Sequence, residues 1–375
     1  MYEIVYLDIE ASLDGIIKEI GLVYETDSLK TSSIEQVKEF LTVHSPKYIA
    51  GHNIVKFDKV LLEQTSIKSE LEKYIIIDTL PASLLLFNEK TFHNLPKKYK
   101  NEDNFYNNPV EDSKLTRVLF EKIVKKFRTI PKKQQIIFYS LLNQKDEFIG
   151  FFSYFEKELG LQELVPELLE KTIAVLYESV IVNKNAIKDS MFHHKVELAY
   201  ILALLTPVTE IKAHPPKILF DYPEISNIQT LLCFDVEESC KNLSSFAEET
   251  FGFSSFRSFQ RLGGDTLFQS NKISQREIIE ASLKDESFIA VLPTGGGKTF
   301  TFWLPALIKA KAYKSLTVVI SPLQALIKDH IGSFEKQVAN FTAVAISGFL
   351  TPLERSNAID KVVNGDADIL CQARS

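Results

Sequence analysis

The sequence predicts an α/β protein laid out in three zones, on three observations. The opening YEIVYLDIE (2–10) alternates apolar and polar residues, as a half-buried strand does. From Thr129 to about Cys240, Leu, Ile, Glu and Lys fall at helical spacing, with breaks at Pro131, Pro166, Pro207, Pro215, Pro216 and Pro223. From Asn242 onward a glycine-rich loop, the strand SLTVVISPL, the helix LQALIKDHI and the strand TAVAIS restore α/β alternation.

The elements of the first zone follow in order. Asp14-Gly15 is a turn signal, and GIIKEIGLVYE (15–25) supplies the hairpin partner of the first strand. SIEQVKEFL (33–41) and FDKVLLEQTSI (57–67) have helical periodicity. YIIIDTL (74–80) is a strand, and EDSKLTRVLFEKIVKKF (111–127) is an amphipathic helix. In the middle zone LVPELLEKTIAVLYESV and KVELAYILALL read as a packed helical spacer. The expected divisions are 1–125, 126–245 and 246–375.

Composition narrows the class. Of 375 residues, 45% are apolar and 25% charged, which excludes a disordered or collagen-like chain. The net charge of −6, from 43 basic and 49 acidic residues, excludes a globally basic nucleic-acid binder but not an enzyme with local basic patches. Three cysteines form no CxxC pair, so neither a zinc site nor a disulfide framework is expected. Glu3, Asp8 and Glu10 stand where a signal peptide would be basic and then apolar, and a reducing cytoplasm is the expected compartment.

The first chemical constellation is acidic. Asp8 and Glu10, two apart on a strand, project from one face. Asp58 opens a helix after GHNIVKF, and Asp112 opens the amphipathic helix. Four carboxylates from separate element ends suit a pair of hard divalent cations. The ordered set LDIE, GHNIVKFD and PVEDS, with a strand ending in DTL between the last two, resembles the DEDD (DnaQ-like, RNase H-like) 3′–5′ exonucleases over residues 1–125. That resemblance implies Asp8, Glu10, Asp58 and Asp112 as ligands of Mg²⁺ or Mn²⁺. It also implies removal of nucleotides from a 3′ end. The family's general base would stand as His at 107 or Tyr at 108, where this chain has Asn107 and Asn108. His52 reads as a rim or turn residue, and His93 as a satisfied loop or cap histidine.

The second constellation is AVLPTGGGKTF (290–300). An apolar strand Ile289–Leu292 would run into Thr294, Gly295, Gly296, Gly297, Lys298 and Thr299 and then a helix. Glycines turn backbone N–H groups toward phosphate, Lys298 would reach the β/γ-phosphates of ATP, and the Thr299 hydroxyl would ligate Mg²⁺. With FGFSSFR, SQREII, FWLPALI and TVVISPLQALIKDHI, this text resembles the first RecA-like domain of a RecQ-type superfamily 2 DNA helicase over 246–371. The resemblance implies that Arg257 and Phe256 pack about adenine and that Gln275 reads its edge. Gln260 has the family's FR-x-x-Q spacing; Gln275 is preferred by its following text, with 258–273 taken as an insertion. Ser321, Pro322, Leu323 and Asp329 match the segment that lines single-stranded DNA. No acidic DEAH-like motif and no second RecA-like domain follow, so the chain is expected to be the N-terminal piece of a longer nuclease–helicase.

The run Lys122, Lys125, Lys126, Arg128, Lys132, Lys133 and Lys145 reads as a solvated helix face sooner than a phosphate-contacting stripe. DNA versus RNA, and repair versus anti-phage defence, are open in the sequence. The rival to an enzyme is a non-catalytic protein that uses the exonuclease fold to hold 3′ ends.

Overall fold

The opening alternation becomes β1 (Ile4–Ala11), and its two faces have different destinations. Val5, Leu7 and Ile9 enter an apolar core, while Tyr6, Asp8 and Glu10 share the opposite face. The computed structural model describes residues 4–88, 90, 92–95, 108–205, 214–260, 272–284, 286–313, 315–348 and 350–373. A turn with Gly15 at φ 77° returns the chain as β2 (Ile17–Tyr24), antiparallel to β1, and β3 (Asp27–Thr31) continues the meander.

After α1 (Ile34–His44), β4 (Tyr48–Gly51) pairs parallel to β1. The helix predicted over 57–67 forms only as the short α2 (Asp58–Leu62), and a separate α3 (Lys68–Leu71) begins beyond it. The break falls at Thr65, whose hydroxyl bonds the Leu62 carbonyl at 2.8 Å and competes with the helical ladder. β5 (Ile75–Asp78) then pairs parallel to β4, giving the sheet order β3-β2-β1-β4-β5. Val37 and Leu41 of α1 and Leu61, Leu62 and Leu71 of the short helices cover the Leu7, Ile20, Leu22 face.

α4 (Thr79–Leu86) follows, and α5 (Pro109–Thr129) starts with Asn108 as N-cap and Pro109 in the first turn, both favoured there. The chain continues as α6 (Lys132–Leu142), α7 (Asp146–Leu159), α8 (Pro166–Leu176), α9 (Asn185–His193), α10 (Lys195–Leu204) and α11 (Pro216–Asp221). Phe127 of α5 meets Phe151 and Phe155 of α7 at ring-centroid distances of 5.1 and 4.8 Å. α7 comes so close to β5 that a Cβ on Gly150 would lie 1.9 Å from the Ile76 carbonyl oxygen. The described chain divides into two compact units. The first holds Met1–Leu176, Ile187–Ala203 and Pro215–Ile225, and the second holds Tyr177–Ala186, Leu204–His214 and Ser226–Ser375.

In the second unit α13 (Val236–Lys241) and α14 (Leu243–Phe251) follow α12 (Ile225–Cys233). A two-stranded hairpin, β6 (Ser258–Gln260) and β7 (Lys272–Ser274), leads into α15 (Gln275–Leu283). Then come α16 (Lys298–Tyr313), β8 (Thr317–Ser321), α17 (Gln324–Gln337), β9 (Ala343–Ile346), α18 (Pro352–Val363) and β10 (Ile369–Ala373). The three strands form a parallel sheet ordered β8-β10-β9, packed on Trp303, Leu307, Ile327 and Phe334. The strand expected at Ile289–Leu292 is not formed. Ile289 is 95% and Val291 78% exposed, and a strand is defined by a neighbour that takes its backbone hydrogen bonds, which this stretch does not have among the described residues.

One buried group is left over in the first unit. Thr116 of α5 is fully buried, and its hydroxyl finds no hydrogen-bond partner among the described residues. An unsatisfied buried polar group costs about 1–3 kcal/mol. Thr116→Val keeps the shape and removes the hydroxyl, so it is expected to raise stability by about 1 kcal/mol, read as a higher urea midpoint. An unchanged or lower midpoint would show that the hydroxyl has a partner in solution.

Candidate functional site

The acidic site is assembled around β1. Register places Asp8 opposite Gly21 of β2. Gly21 has no side chain, and the first turn of α5 rests directly on it. A Cβ there would lie 2.2 Å from the Pro109 carbonyl carbon and 2.4 Å from its oxygen. The Ser113 hydroxyl donates to the Gly21 carbonyl at 3.0 Å and pins the same turn. Asp112 is thereby brought to Asp8 and Glu10, with carboxylate oxygens of the three all within 4.8 Å of one another.

Asp58 arrives by a different route. Its carboxylate accepts the Ile9 N–H at 2.8 Å, and the residue is 2% exposed. Burial, and then the charge of Asp8, hold its carboxyl well above the usual carboxylate range. The loop that delivers Asp58 hangs on Asp78, at the end of β5. The Asp78 carboxylate accepts N–H groups from Asn53 (2.9 Å), Val55 (3.1 Å) and Leu80 (3.0 Å), which fixes the loop and caps α4 together. Asn53 adopts φ 64° within this loop, a region Asn tolerates. Lys56, in the same loop, pairs with Glu147 of α7 at 2.8 Å.

All four predicted carboxylates, Asp8, Glu10, Asp58 and Asp112, line one pocket of about 490 Å³, with His52 and Phe57 beside them. Three like charges within 4.8 Å repel by roughly 3–4 kcal/mol per pair at an effective dielectric of about 20. A divalent cation relieves that repulsion, and an all-carboxylate donor set suits a hard one such as Mg²⁺ or Mn²⁺. The residues present therefore fit the implied metal.

The candidate bases divide. Asn107 lies outside the described residues. Asn108 spends its side-chain oxygen on the Val110 N–H at 3.2 Å, as the cap of α5. His93 is buried, with Nδ1 2.8 Å from the Ser83 hydroxyl and Nε2 3.1 Å from the Lys90 carbonyl, so it is a satisfied structural histidine. His52 lies 3.0 Å from the Thr79 hydroxyl, and burial lowers its pKa to about 4.

The phosphate loop belongs to the second unit. Gly295 and Gly297 both take φ 72°, the left-handed conformation that glycine accepts without strain. Gln275 is 3% exposed, and its amide nitrogen donates to the carbonyls of Gly296 (3.0 Å) and Gly297 (3.3 Å). Its amide oxygen accepts the Arg257 N–H at 2.9 Å, and its own N–H returns to the Arg257 carbonyl at 2.9 Å. The Arg257 guanidinium donates to the Gly295 carbonyl at 2.6 Å. Gln275 and Arg257 thus do reach the loop, but both brace its backbone here. The Gln275 amide oxygen and nitrogen both bond to backbone around the loop. The Arg257–Gln275 pair stands at the base of the hairpin whose strands are β6 and β7. Gln260 pairs in register with Lys272.

Thr294 and Lys298 are exposed and Thr299 is half-buried at the start of α16. Ser321 ends β8, Pro322 and Leu323 lie exposed before α17, and Asp329 is exposed on that helix, while Ile327 and Phe334 face the core. The basic run from Lys122 to Lys133 is exposed on α5 and α6, with Arg128 already paired to Glu158 at 2.8 Å.

Gly21 and Asp78 were not among the predicted site residues, although each leaves a mark. A lone glycine inside a strand signals close backbone approach, and an Asp immediately before Thr-Leu-Pro is an N-cap pattern.

Residues 271–374 match the DEAD/DEAH box helicase family. Over 85 residues the chain is 39% identical to ATP-dependent DNA helicase RecQ of Synechocystis sp., covering 23% of this chain and 16% of that protein. It is 36% identical over 107 residues to ATP-dependent DNA helicase Q-like 4B of Arabidopsis thaliana, covering 28% and 8%. It is 31% identical over 97 residues to ATP-dependent helicase SGS1 of Saccharomyces cerevisiae, covering 26% and 7%. The C-terminal region is therefore RecQ-like, and the chain spans at most 16% of the length of these relatives.

Two outcomes follow from the acidic site. Gly21→Ala should push the first turn of α5 off β2 and lower Mn²⁺ affinity about ten- to hundredfold, with the helical circular dichroism retained. Unchanged affinity would mean that Asp112 does not need this contact. The second outcome concerns Asp78, whose pKa burial raises to about 6. The folded state holds this proton more tightly than the unfolded chain, so the group's contribution to stability declines as pH rises from about 4 to 6. Asp78→Asn should flatten that slope in urea unfolding measured across pH; an identical slope would place the titration elsewhere.

Proposed function

We propose that the chain is the nuclease and partial ATPase portion of a DNA-processing enzyme: a metal-dependent 3′–5′ exonuclease in the first unit, joined to a RecQ-like helicase lobe in the second. The observation that carries the nuclease reading is the convergence of Asp8, Glu10 and Asp112 within 4.8 Å, in the same pocket as Asp58. When bound, Mg²⁺ or Mn²⁺ would neutralise phosphate charge and acidify a water at neutral pH. The chain's own part is to hold the ligands. Gly21 and Ser113 seat Asp112, the Ile9 N–H orients Asp58, and Asp78 holds the loop that carries Asp58. Phe57 and His52 wall the pocket beside them.

For the second unit, the helicase-family match and the strain-free glycines of the loop support ATP and Mg²⁺ binding. The loop amides would face the phosphates, with Lys298 on the β/γ-phosphates and Thr299 on Mg²⁺. Ser321, Pro322, Leu323 and Asp329 would meet the single strand; Pro322, Leu323 and Asp329 are exposed for it, and Ser321 is buried at the end of β8. DNA is the favoured nucleic acid because the relatives are named as DNA helicases. The engagement of Asn108 as a helix cap favours a second reading, in which the nuclease fold holds 3′ ends without cutting them.

A single-stranded DNA labelled at its 5′ end separates these readings. With Mn²⁺ present, the enzyme yields a ladder of shortened products, and Asp8→Ala or Asp58→Ala abolishes it while the fold persists. Retention of the strand without any laddering, with or without metal, supports the holding protein. Wild-type digestion by either variant would overturn the assignment of the site. Lys298→Ala should remove ATP–Mg²⁺ binding and leave digestion intact.

A further inference from the structure

The first unit carries a second cavity that shares no residue with the carboxylate pocket. It encloses about 630 Å³ between the start of β1, the end of β2, the second half of α5, and α7. Ligand pockets commonly fall between about 300 and 1,000 Å³. Its walls are aromatic: Tyr6, Tyr24, Phe120 and Tyr154 all line it. Phe120 sits between two of them, 6.5 Å from Tyr6 and edge-on to Tyr154 at 5.2 Å.

Two features point to a ligand. Tyr6 is 7% exposed and lines the cavity, and its hydroxyl makes no hydrogen bond to the described residues, which leaves it for what enters the cavity. The second feature is a pair of fixed guanidinium groups. Arg117 donates through Nε to Glu121 at 3.2 Å and through Nη1 to the Glu25 carbonyl at 2.8 Å. Arg128 donates through Nε and Nη2 to both oxygens of Glu158, at 2.8 and 2.9 Å. Each guanidinium is held flat and still has N–H donors to spare, on Nη2 of Arg117 and Nη1 of Arg128.

We propose that this cavity binds a single purine or pyrimidine base. A flat heteroaromatic ring suits aromatic walls, a phenol that can donate or accept, and planar cations that stack on rings and donate to ring oxygens and nitrogens. Charge selects against a polyphosphate. Three carboxylates, Glu25, Glu121 and Glu158, surround two guanidinium groups, so a triphosphate meets net repulsion where a neutral base does not. The base could come from a free nucleoside or from an unpaired position in a strand, and the experiment distinguishes the two.

The whole chain carrying Lys298→Ala, which empties the ATP site, is titrated calorimetrically with adenosine, thymidine and ATP. It is also titrated with a short single strand and with the same strand lacking one base. A nucleoside that binds where ATP does not supports a free ligand. A strand that binds in preference to nucleosides, and weakens when one base is missing, supports a base presented by nucleic acid. In either case Tyr6→Phe should weaken binding roughly fivefold to tenfold, the loss of one hydrogen bond. Phe120→Leu should weaken it further. Tyr6→Phe keeps the ring and thus the fold, so the test stands even if Phe120→Leu fails to fold. Absence of binding by any probe overturns the proposal. So does binding that ignores Tyr6→Phe. The nuclease reading is unaffected by either result, because it rests on the other pocket.

Discussion

The contact between Gly21 and the first turn of α5 decides the geometry of the acidic site. Backbone meets backbone there, so the distance between β2 and α5 has no side chain left to give. Asp8 lies opposite Gly21 in the ladder, and Asp112 lies in the turn that Gly21 admits. The repulsion among Asp8, Glu10 and Asp112 acts to open this contact. The Ser113 hydrogen bond and the helix packing farther along α5, where Phe127 meets α7, act to keep it closed. A carboxylate cluster with this mutual repulsion, set on a close backbone contact, has the donor set that a hard divalent cation takes.

Loop positioning completes the site by a similar economy. One buried carboxylate, Asp78, takes N–H groups from both sides of a turn and from the helix that follows it. Lys56 ties the same loop to Glu147 of α7. A helix of the middle zone, α7, thus holds part of that loop in place. In the second unit, Gln275 performs the comparable task for the phosphate loop, with Gly297 close enough that a Cβ would fall 2.4 Å from its amide nitrogen.

Much of this was legible because local chemistry and tertiary role coincide. Period two puts Asp8 and Glu10 on one face, and the Asp14-Gly15 turn makes the hairpin. The unread parts depend on partners distant in sequence. Nothing near residue 21 says that its neighbour will be Pro109. Nothing near Gln275 says that its amide will be spent on loop carbonyls instead of standing free. The strand predicted at Ile289–Leu292 has the right residues, but a strand is a property of a pair, and apolar text alone does not supply the ladder. The helix predicted over 57–67 ends early at Leu62, where the Thr65 hydroxyl takes the Leu62 carbonyl, a local bond that periodicity does not weigh.

Three carboxylates brought together by one backbone contact are proposed to hold a divalent cation. Anomalous diffraction from crystals grown in Mn²⁺ tests it most directly. The account predicts a manganese peak bounded by the carboxylates of Asp8, Glu10 and Asp112, with Asp58 in the same pocket. Well-ordered carboxylates at full manganese concentration without a peak between them, or a peak held by other residues alone, would contradict it.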